Sequence, residues 1–352
     1  VDPSIIRVVP DVLEAYELFL RELVGAGNSV IVPTPAYMPF LSVPKLYDVD
    51  VIEIEMLQSG DAETGEAQWV YDFDAIERAF AAGCHAFVLC NPHNPIGKVL
   101  TLEEELRLSD LAAQYDVRIF NDEIHAPFVF EGRHIPFPTI SEQAALQSMT
   151  ATSASKSFNI PGTKCAQVLL TNPADRDMWA VKAEWSEHQT ATIGAIATTT
   201  AYNEGDLWFQ DAFAYVRRNL ALFDEQMRER FAGVGYIKPQ GTYIAWLDFS
   251  PLGIDDPAAY FLEKALMRRD RCRMRAREHS NAVSAAGRMP GPHVWRVACG
   301  WIAVNFATYS VFSSTNGSIT VNVVPFLTSL STVMVPLENC ILSTCDGRMT
   351  CV

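Results

Sequence analysis

The sequence predicts an α/β protein, with a mostly parallel sheet in a large N-terminal domain and a smaller α+β domain after it. Short apolar segments alternate with segments of helical period over the first third of the chain. Strands that are apolar throughout are typical of a parallel sheet covered by helices on both faces. Polar motifs follow directly after several of these strands, which is where open α/β sheets bind ligands.

The predicted elements follow one another with short connections. The first helix covers residues 11–24, with Asp11 as its N-cap after Pro10 and an apolar stripe along one face. The next elements, in chain order, are strands at 29–32 and 51–54, a helix at 72–82, a strand at 86–90, a helix at 102–115 and a strand at 117–120. A long helix at 207–231 and a strand at 242–247 begin the second domain.

Composition excludes several classes of function. The chain of 352 residues has a net charge of −15, with 49% hydrophobic and 20% charged residues. So acidic a chain has no broad basic surface for nucleic-acid phosphates, and anionic membranes repel it. No charged segment followed by an apolar core opens the chain, so no signal peptide is visible. We expect a cytoplasmic protein with a small-molecule partner, and neither nucleic acid nor membrane.

The eight cysteines show neither the spacing of a metal site nor that of a redox pair. Cys84, Cys90 and Cys165 lie in apolar runs, where buried and inert thiols are usual. The other five follow residue 267. We therefore expect no metal ligands.

The most informative segment covers residues 152–162, where one lysine lies among small hydroxyl residues. Burial beside another cation would lower the pKa of Lys156 and make its amine a nucleophile. Ser153 and Ser155 could bind an anionic group that the lysine also faces. This combination suits pyridoxal phosphate (PLP), whose aldehyde takes the amine and whose phosphate takes the hydroxyls. A surface lysine in a serine-rich loop is the alternative for this segment alone.

Other motifs at strand ends offer the contacts that the PLP ring needs. Asp122 can keep the pyridine nitrogen protonated, and Asn94 can donate a hydrogen bond to the ring hydroxyl. His125 can reach the ring edge, and Tyr37 has a flat face for stacking on the ring. The alternatives are a turn or cap role for Asp122 and core packing for His125 and Tyr37.

The phosphate would bind near the start of the first helix. We expect it to contact Ser153, Lys164 and backbone N–H groups around Val12 and Leu13. Because an acid beside a phosphate is unfavourable, Asp11 is expected to contribute its backbone and not its side chain.

Four segments occur together in this order: 33–40, 91–97, 122–125 and 153–162. With them the chain resembles the fold-type-I PLP enzymes of the aminotransferase class I/II superfamily, and within it the MalY/PatB-like cystathionine β-lyase branch. The tripeptide at 93–95, the Asp-Glu-Ile-His quartet and Ser-Lys-Ser-Phe-Asn favour that branch over ordinary aminotransferases. The resemblance covers about residues 1–266, and also 300–308.

The resemblance implies an aspartate aminotransferase-like fold with three parts. Residues 1–206 form the large PLP-binding domain, without the N-terminal segment of several tens of residues that the family has. Residues 207–309 form the small domain, which is disrupted from about residue 267, and 310–352 form an atypical tail. Residues 267–278 contain six arginines. Residues 297–337 contain no charged residue. This composition is compatible with a β-rich extension or with a segment read in another frame. A homodimer is also implied.

The resemblance further implies a reaction. Lys156 acts as the general base at the substrate α-carbon, while Asp122 and Tyr37 support the cofactor ring. A thioether amino acid then loses its thiol, and pyruvate and ammonia follow. Asn159 could donate one hydrogen bond to the substrate carboxylate, but Ala303 stands where the family usually has an arginine clamp. The alternatives are an aminotransferase, or a PLP-binding protein with little or no turnover.

Overall fold

The computed structural model describes residues 2–60, 67–231 and 233–261, together with the short segments 312–313, 318–322, 342–345 and 348–351. The chain divides into two compact units. One consists of Val1–Arg217 with Ile237–Ile244, and the other of Arg218–Tyr236 with Ala245–Val352. The predicted domain limits at 206 and 309 stay predictions, and the predicted change at residue 267 lies outside the described residues.

A seven-stranded sheet is the centre of the first unit. The strands of this unit are β1 (Ile6–Val9), β2 (Ser29–Thr34), β3 (Asp50–Glu55), β4 (Leu57–Ser59), β5 (Gln68–Val70), β6 (Ala86–Cys90), β7 (Arg118–Asp122), β8 (Ser148–Thr152) and β9 (Ala166–Leu169). The sheet has the order β1-β9-β8-β7-β6-β2-β3, and β4 pairs with β5 separately.

Strand direction brings six carboxyl ends to one edge of this sheet. Strands β3, β2, β6, β7 and β8 pair in parallel. Strand β9 is antiparallel to both β8 and β1, so β1 has the same direction as β8. Strands β6 and β7 are buried along almost their whole length, as expected for parallel strands with helices on both faces.

The predicted helices at 11–24, 72–82, 102–115 and 207–231 are present among the ten α-helices of the described residues. The ten are α1 (Val12–Phe19), α2 (Pro39–Ser42), α3 (Phe73–Ala81), α4 (Leu102–Gln114), α5 (Glu142–Gln147), α6 (Ala154–Ser157), α7 (Pro173–Lys182), α8 (Glu184–Glu187), α9 (Thr192–Glu204) and α10 (Asp206–Arg230). The predicted cap of α1 is present, because the Asp11 carboxylate accepts a hydrogen bond from the backbone N–H of Glu14. After Phe19 the helix continues as π-helix over Leu20–Val24.

An aromatic cluster fixes α1 against the sheet. Tyr16 of α1 contacts Phe120 of β7 and Phe40 of α2, with ring centroids 5.0 and 5.2 Å apart. All three rings are buried, and the Tyr16 hydroxyl donates to the backbone oxygen of Phe40. This packing holds the start of α1 beside the carboxyl edge of the sheet.

The second unit has its own small sheet, of order β10-β11-β13-β12. Its strands are β10 (Gly235–Tyr236), β11 (Ile244–Asp248), β12 (Phe312–Ser313) and β13 (Ser318–Asn322), and a separate hairpin joins β14 (Leu342–Cys345) to β15 (Arg348–Cys351). Met227, Leu247 and Phe249 form its buried apolar cluster.

Candidate active site

Four neighbouring strands of the first unit carry the predicted cofactor contacts at their carboxyl ends. Strands β8, β7, β6 and β2 are consecutive in the sheet. Lys156 follows β8, Asp122 ends β7 and His125 follows it, Asn94 follows β6, and Tyr37 follows β2. Because the strands are parallel, segments that are far apart in sequence meet at one edge of the sheet.

Asp122 is the last residue of β7 and lies in register with Cys90 and Ala151 on the two neighbouring strands. Its side chain is buried, and Oδ1 accepts a hydrogen bond from the Ile124 backbone N–H at 2.9 Å. Burial raises the pKa of Asp122 to about 7, and the charge of Glu123 adds a smaller increase. The Ile124 hydrogen bond and the charge of Lys156 oppose this rise in pKa.

Lys156 lies in α6, the short helix that follows β8. Its side chain is half-buried, and burial lowers its pKa, while the charge of Asp122 opposes this effect. The lower pKa favours the neutral amine, which is the nucleophilic and proton-accepting form. The two groups therefore influence each other's protonation, as a lysine and a carboxylate on adjacent strand ends should.

Ser153 caps the start of α6. Its hydroxyl donates to the backbone oxygen of Cys165 at 2.8 Å and accepts from the backbone N–H of Ser155 at 3.0 Å. A serine hydroxyl has one hydrogen to donate, and here that hydrogen is directed to Cys165 and not to the space for a phosphate. The phosphate roles of Ser153 and Ser155 stay predictions.

The start of α1 and Lys164 lie together, as the predicted phosphate site requires. Lys164 Nζ is 3.0 Å from Asp11 Oδ2 in an exposed ion pair, while Asp11 Oδ1 caps the helix. The first backbone N–H groups of a helix, here those of Val12 and Leu13, have no partner within the helix. They are therefore suited to an anion, with Lys164 beside them.

His125 is buried against an aromatic residue that the sequence did not single out. Its ring centroid is 5.5 Å from that of Tyr243, which packs edge-on against Phe128 at 5.1 Å. Burial, with a smaller contribution from the charge of Lys156, lowers the pKa of His125 to about 3. The imidazole is therefore neutral, and its buried Nδ1 has no hydrogen-bond partner among the described residues. Tyr243 belongs to the same compact unit as His125, because residues 237–244 pack with the first unit.

The remaining predicted residues lie on three loops. Tyr37 is half-buried, its ring is 5.6 Å from Phe40, and burial, followed by the charge of Asp122, raises its pKa. Asn94 is half-buried and precedes a cis peptide bond to Pro95. Asn159 is exposed and has a left-handed backbone, with φ of 54°.

Gly97 closes the loop that carries Asn94. Its φ is +69°, and a Cβ atom there would collide with Pro239 and with the carbonyl oxygen of Gly241. The Gly97 carbonyl accepts hydrogen bonds from the backbone N–H groups of Gln240 and Gly241 at 2.9 and 2.8 Å. Only glycine fits so close an approach at a positive φ.

The described part of the chain contains no group of three or more histidine, cysteine or acidic side chains arranged to hold a metal ion. None of its helices is long and apolar enough to cross a membrane.

These side chains fit PLP. The site combines a lysine whose pKa is lowered, a buried carboxylate on the adjacent strand, and a histidine nitrogen without a partner. The family model for "Aminotransferase class I and II" matches residues 7–300 of the chain. The chain belongs to this family.

Relatives within the aminotransferase class I and II family confirm the predicted resemblance. The cystathionine β-lyase of Corynebacterium glutamicum is 35% identical over 263 residues, which are 75% of this chain and 68% of the relative. Protein MalY of Escherichia coli is 31% identical over 277 residues, 77% of this chain and 67% of MalY. The chain thus spans about two thirds of the length of these relatives.

A solved structure confirms the predicted fold class. It comes from Corynebacterium diphtheriae and bears the name of a PLP-dependent β-cystathionase. It is 35% identical to this family member, with a TM-score of 0.68, and the match covers 75% of this chain and 67% of the other.

Replacing Asp122 with asparagine should change how stability depends on pH. An unfolded aspartate titrates near pH 4, whereas the folded protein holds this proton up to about pH 7. Between these values the carboxyl group makes the free energy of unfolding fall by about 1.4 kcal/mol per pH unit as pH rises. We expect this fall in the cofactor-free wild type and not in Asp122→Asn, as measured by urea unfolding from pH 4 to pH 8. A wild-type minus variant difference that is constant with pH would contradict the assigned pKa.

Proposed function

We propose that this chain is a PLP-dependent carbon–sulfur β-lyase of the cystathionine β-lyase type. It would release thiol, pyruvate and ammonia from a cysteine S-conjugate in the cytoplasm. The observation that carries the proposal is the pairing of Lys156 with Asp122 on adjacent strand ends, where burial shifts both pKa values towards neutrality. Relatives named cystathionine β-lyase and a PLP-dependent β-cystathionase add support.

The proposed contacts with PLP use the residues of the sheet edge. Lys156 would hold the aldehyde, Asp122 the ring nitrogen, and Asn94 and His125 the ring hydroxyl, while Tyr37 would cover the ring face. Ser155, Lys164 and the first N–H groups of α1 would hold the phosphate. When bound, PLP supplies an electron sink that stabilises negative charge at the substrate α-carbon.

The chain's own groups then move the proton. Lys156 Nζ accepts the α-proton, and its lowered pKa keeps the amine in the form that can do so. Asp122 has a pKa close to 7, so its carboxyl group can share a proton with a ring nitrogen at neutral pH. Neutral His125 does not add a positive charge that would compete with that proton.

Two other functions use the same residues. Transamination needs the same base and differs in the carbon atom to which Lys156 returns the proton. The name of the matching family favours transamination. Binding of PLP without turnover is favoured by Ala303, which stands at the position of the family's arginine clamp and lies outside the described residues. Exposed Asn159 offers the substrate carboxylate one hydrogen bond but no charge.

Product analysis separates these three functions. The full chain is loaded with PLP and incubated with cystathionine, and separately with alanine and a keto acid. We expect thiol and pyruvate from cystathionine. Lys156→Ala should lower the rate by a factor of about 10² to 10⁴, the usual contribution of a general base. The exposed lysine variant Lys45→Ala is the matched control and should behave as wild type.

Other products would contradict the lyase. Amino-group exchange with alanine, without thiol release from cystathionine, would identify an aminotransferase. Cofactor absorbance that neither substrate changes would identify a binding protein without turnover.

The proposal includes a homodimer. Enzymes of the family act on amino-acid substrates and are typically dimeric. Consecutive helices of the first unit expose large apolar side chains to solvent, namely Val181, Trp185, Ile193, Ile196, Tyr202 and Leu207. Trp185 is 78% exposed, which is costly for so large a side chain unless another surface covers it.

Charge on this apolar surface should prevent assembly. We expect sedimentation velocity to show a dimer for the PLP-loaded wild type and a monomer for the double variant Trp185→Glu, Ile193→Glu. Leu46→Glu, at a 75% exposed leucine elsewhere, should remain dimeric. A monomeric wild type would refute the dimer, and a dimeric double variant would refute this surface.

A further inference from the structure

A buried histidine connects two loops of the candidate active site. His93 follows β6, and only 2% of its surface is exposed. Its Nε2 atom is 2.9 Å from the backbone oxygen of Pro35, which follows β2. A carbonyl oxygen can only accept a hydrogen bond, so Nε2 must carry the hydrogen.

The two loops carry different contacts to the proposed cofactor. Pro35 is two residues before Tyr37, which is expected on the ring face. His93 directly precedes Asn94, which is expected at the ring hydroxyl. Strands β2 and β6 are neighbours in the sheet, but beyond their ends the backbone ladder no longer sets the distance between the loops. The hydrogen bond from His93 to Pro35 sets it there.

The loop of His93 is itself held firmly. The backbone N–H of His93 donates to the Lys98 oxygen at 2.8 Å, and the Gly97 N–H donates to the His93 oxygen at 2.7 Å. At the start of the loop, the Asn91 side chain donates to buried Glu105 at 2.8 Å. The imidazole therefore projects from a hydrogen-bonded turn, and its bond connects that turn to the loop that follows β2.

The protonation state of His93 suits this contact. Burial, with a smaller contribution from the charge of Lys98, lowers its pKa to about 4, although the hydrogen bond to Pro35 opposes this shift. The imidazole is neutral at neutral pH, so it has one hydrogen, and the contact with Pro35 fixes that hydrogen on Nε2. The other nitrogen, Nδ1, is buried and has no partner among the described residues.

We propose that His93 is a positioning residue, whose Nε2–H bond to the Pro35 carbonyl holds Tyr37 and Asn94 at the separation that the PLP ring requires. This inference rests on the proposed PLP function. It assigns His93 no contact with the substrate and no part in proton transfer.

Two amide variants of the full chain test the bond. The amide nitrogen of His93→Gln can occupy the position of Nε2 and donate a hydrogen bond to the Pro35 carbonyl. The side chain of His93→Asn is shorter, so its amide nitrogen does not reach that position. Three readouts apply: hydrogen exchange of residues 36–38 without PLP, the dissociation constant for PLP, and the circular dichroism of the bound cofactor. The dichroism reports the asymmetry of the environment of the cofactor ring. If His93 only stabilised the fold, its replacement would leave the dichroism of the bound cofactor unchanged.

We expect His93→Asn to show faster hydrogen exchange at residues 36–38 and a changed cofactor dichroism. It should also bind PLP about tenfold more weakly, which corresponds to about 1.4 kcal/mol and lies within the usual net contribution of a hydrogen bond. His93→Gln should stay within about threefold of wild type. Equal behaviour of the two variants, or unfolding of both, would overturn the positioning role. If wild type does not bind PLP, the proposed function fails, while the exchange of the cofactor-free protein still tests the bond.

Discussion

The site depends on the electrostatic interaction between a half-buried lysine, in the helix that follows one strand, and a buried carboxylate at the end of the neighbouring parallel strand. Burial favours the neutral form of each, while the attraction between Lys156 and Asp122 favours the charged forms. Burial is the larger effect, so the pKa of Asp122 is raised and that of Lys156 is lowered. An amine that can accept a proton and a carboxyl group that can share one are then present together, and the sheet register keeps Asp122 next to the strand that leads to Lys156.

Hydrogen bonds and close packing around Lys156 and Asp122 fix the loops that follow the strands. Polar side chains anchor those loops to neighbouring backbone, as His93 does to Pro35 and Ser153 to Cys165. A positive φ at Gly97 lets residues 239–241 pack directly against the Asn94 turn. The apolar core beneath fixes the strands, but these polar contacts decide where each side chain lies above the sheet edge.

The sequence was sufficient for the strands and helices that have strong local signals. The helix predicted at 102–115 is observed at Leu102–Gln114, with a Thr101 and Glu104 capping box. Strand β1 at the edge of the sheet and its neighbour β9, each of four residues, have no such signal and were not predicted. The strand-end motifs brought Lys156 and Asp122 to one edge of the sheet, because parallel strands align their ends, while the roles of both residues stay predictions. Contacts such as Tyr243 with His125 join residues more than a hundred positions apart, and no local pattern encodes them.

The central claim is that Lys156 is the amine that holds PLP. Reduction of the PLP-loaded chain with borohydride fixes the cofactor to the amine it occupies, and peptide mapping by mass spectrometry then identifies that residue. The account predicts one modified site, Lys156, because its pKa is lowered by burial while Lys164 is exposed and paired with Asp11. Modification of Lys164 or Lys98 with Lys156 unmodified, or no modification at all, would contradict it.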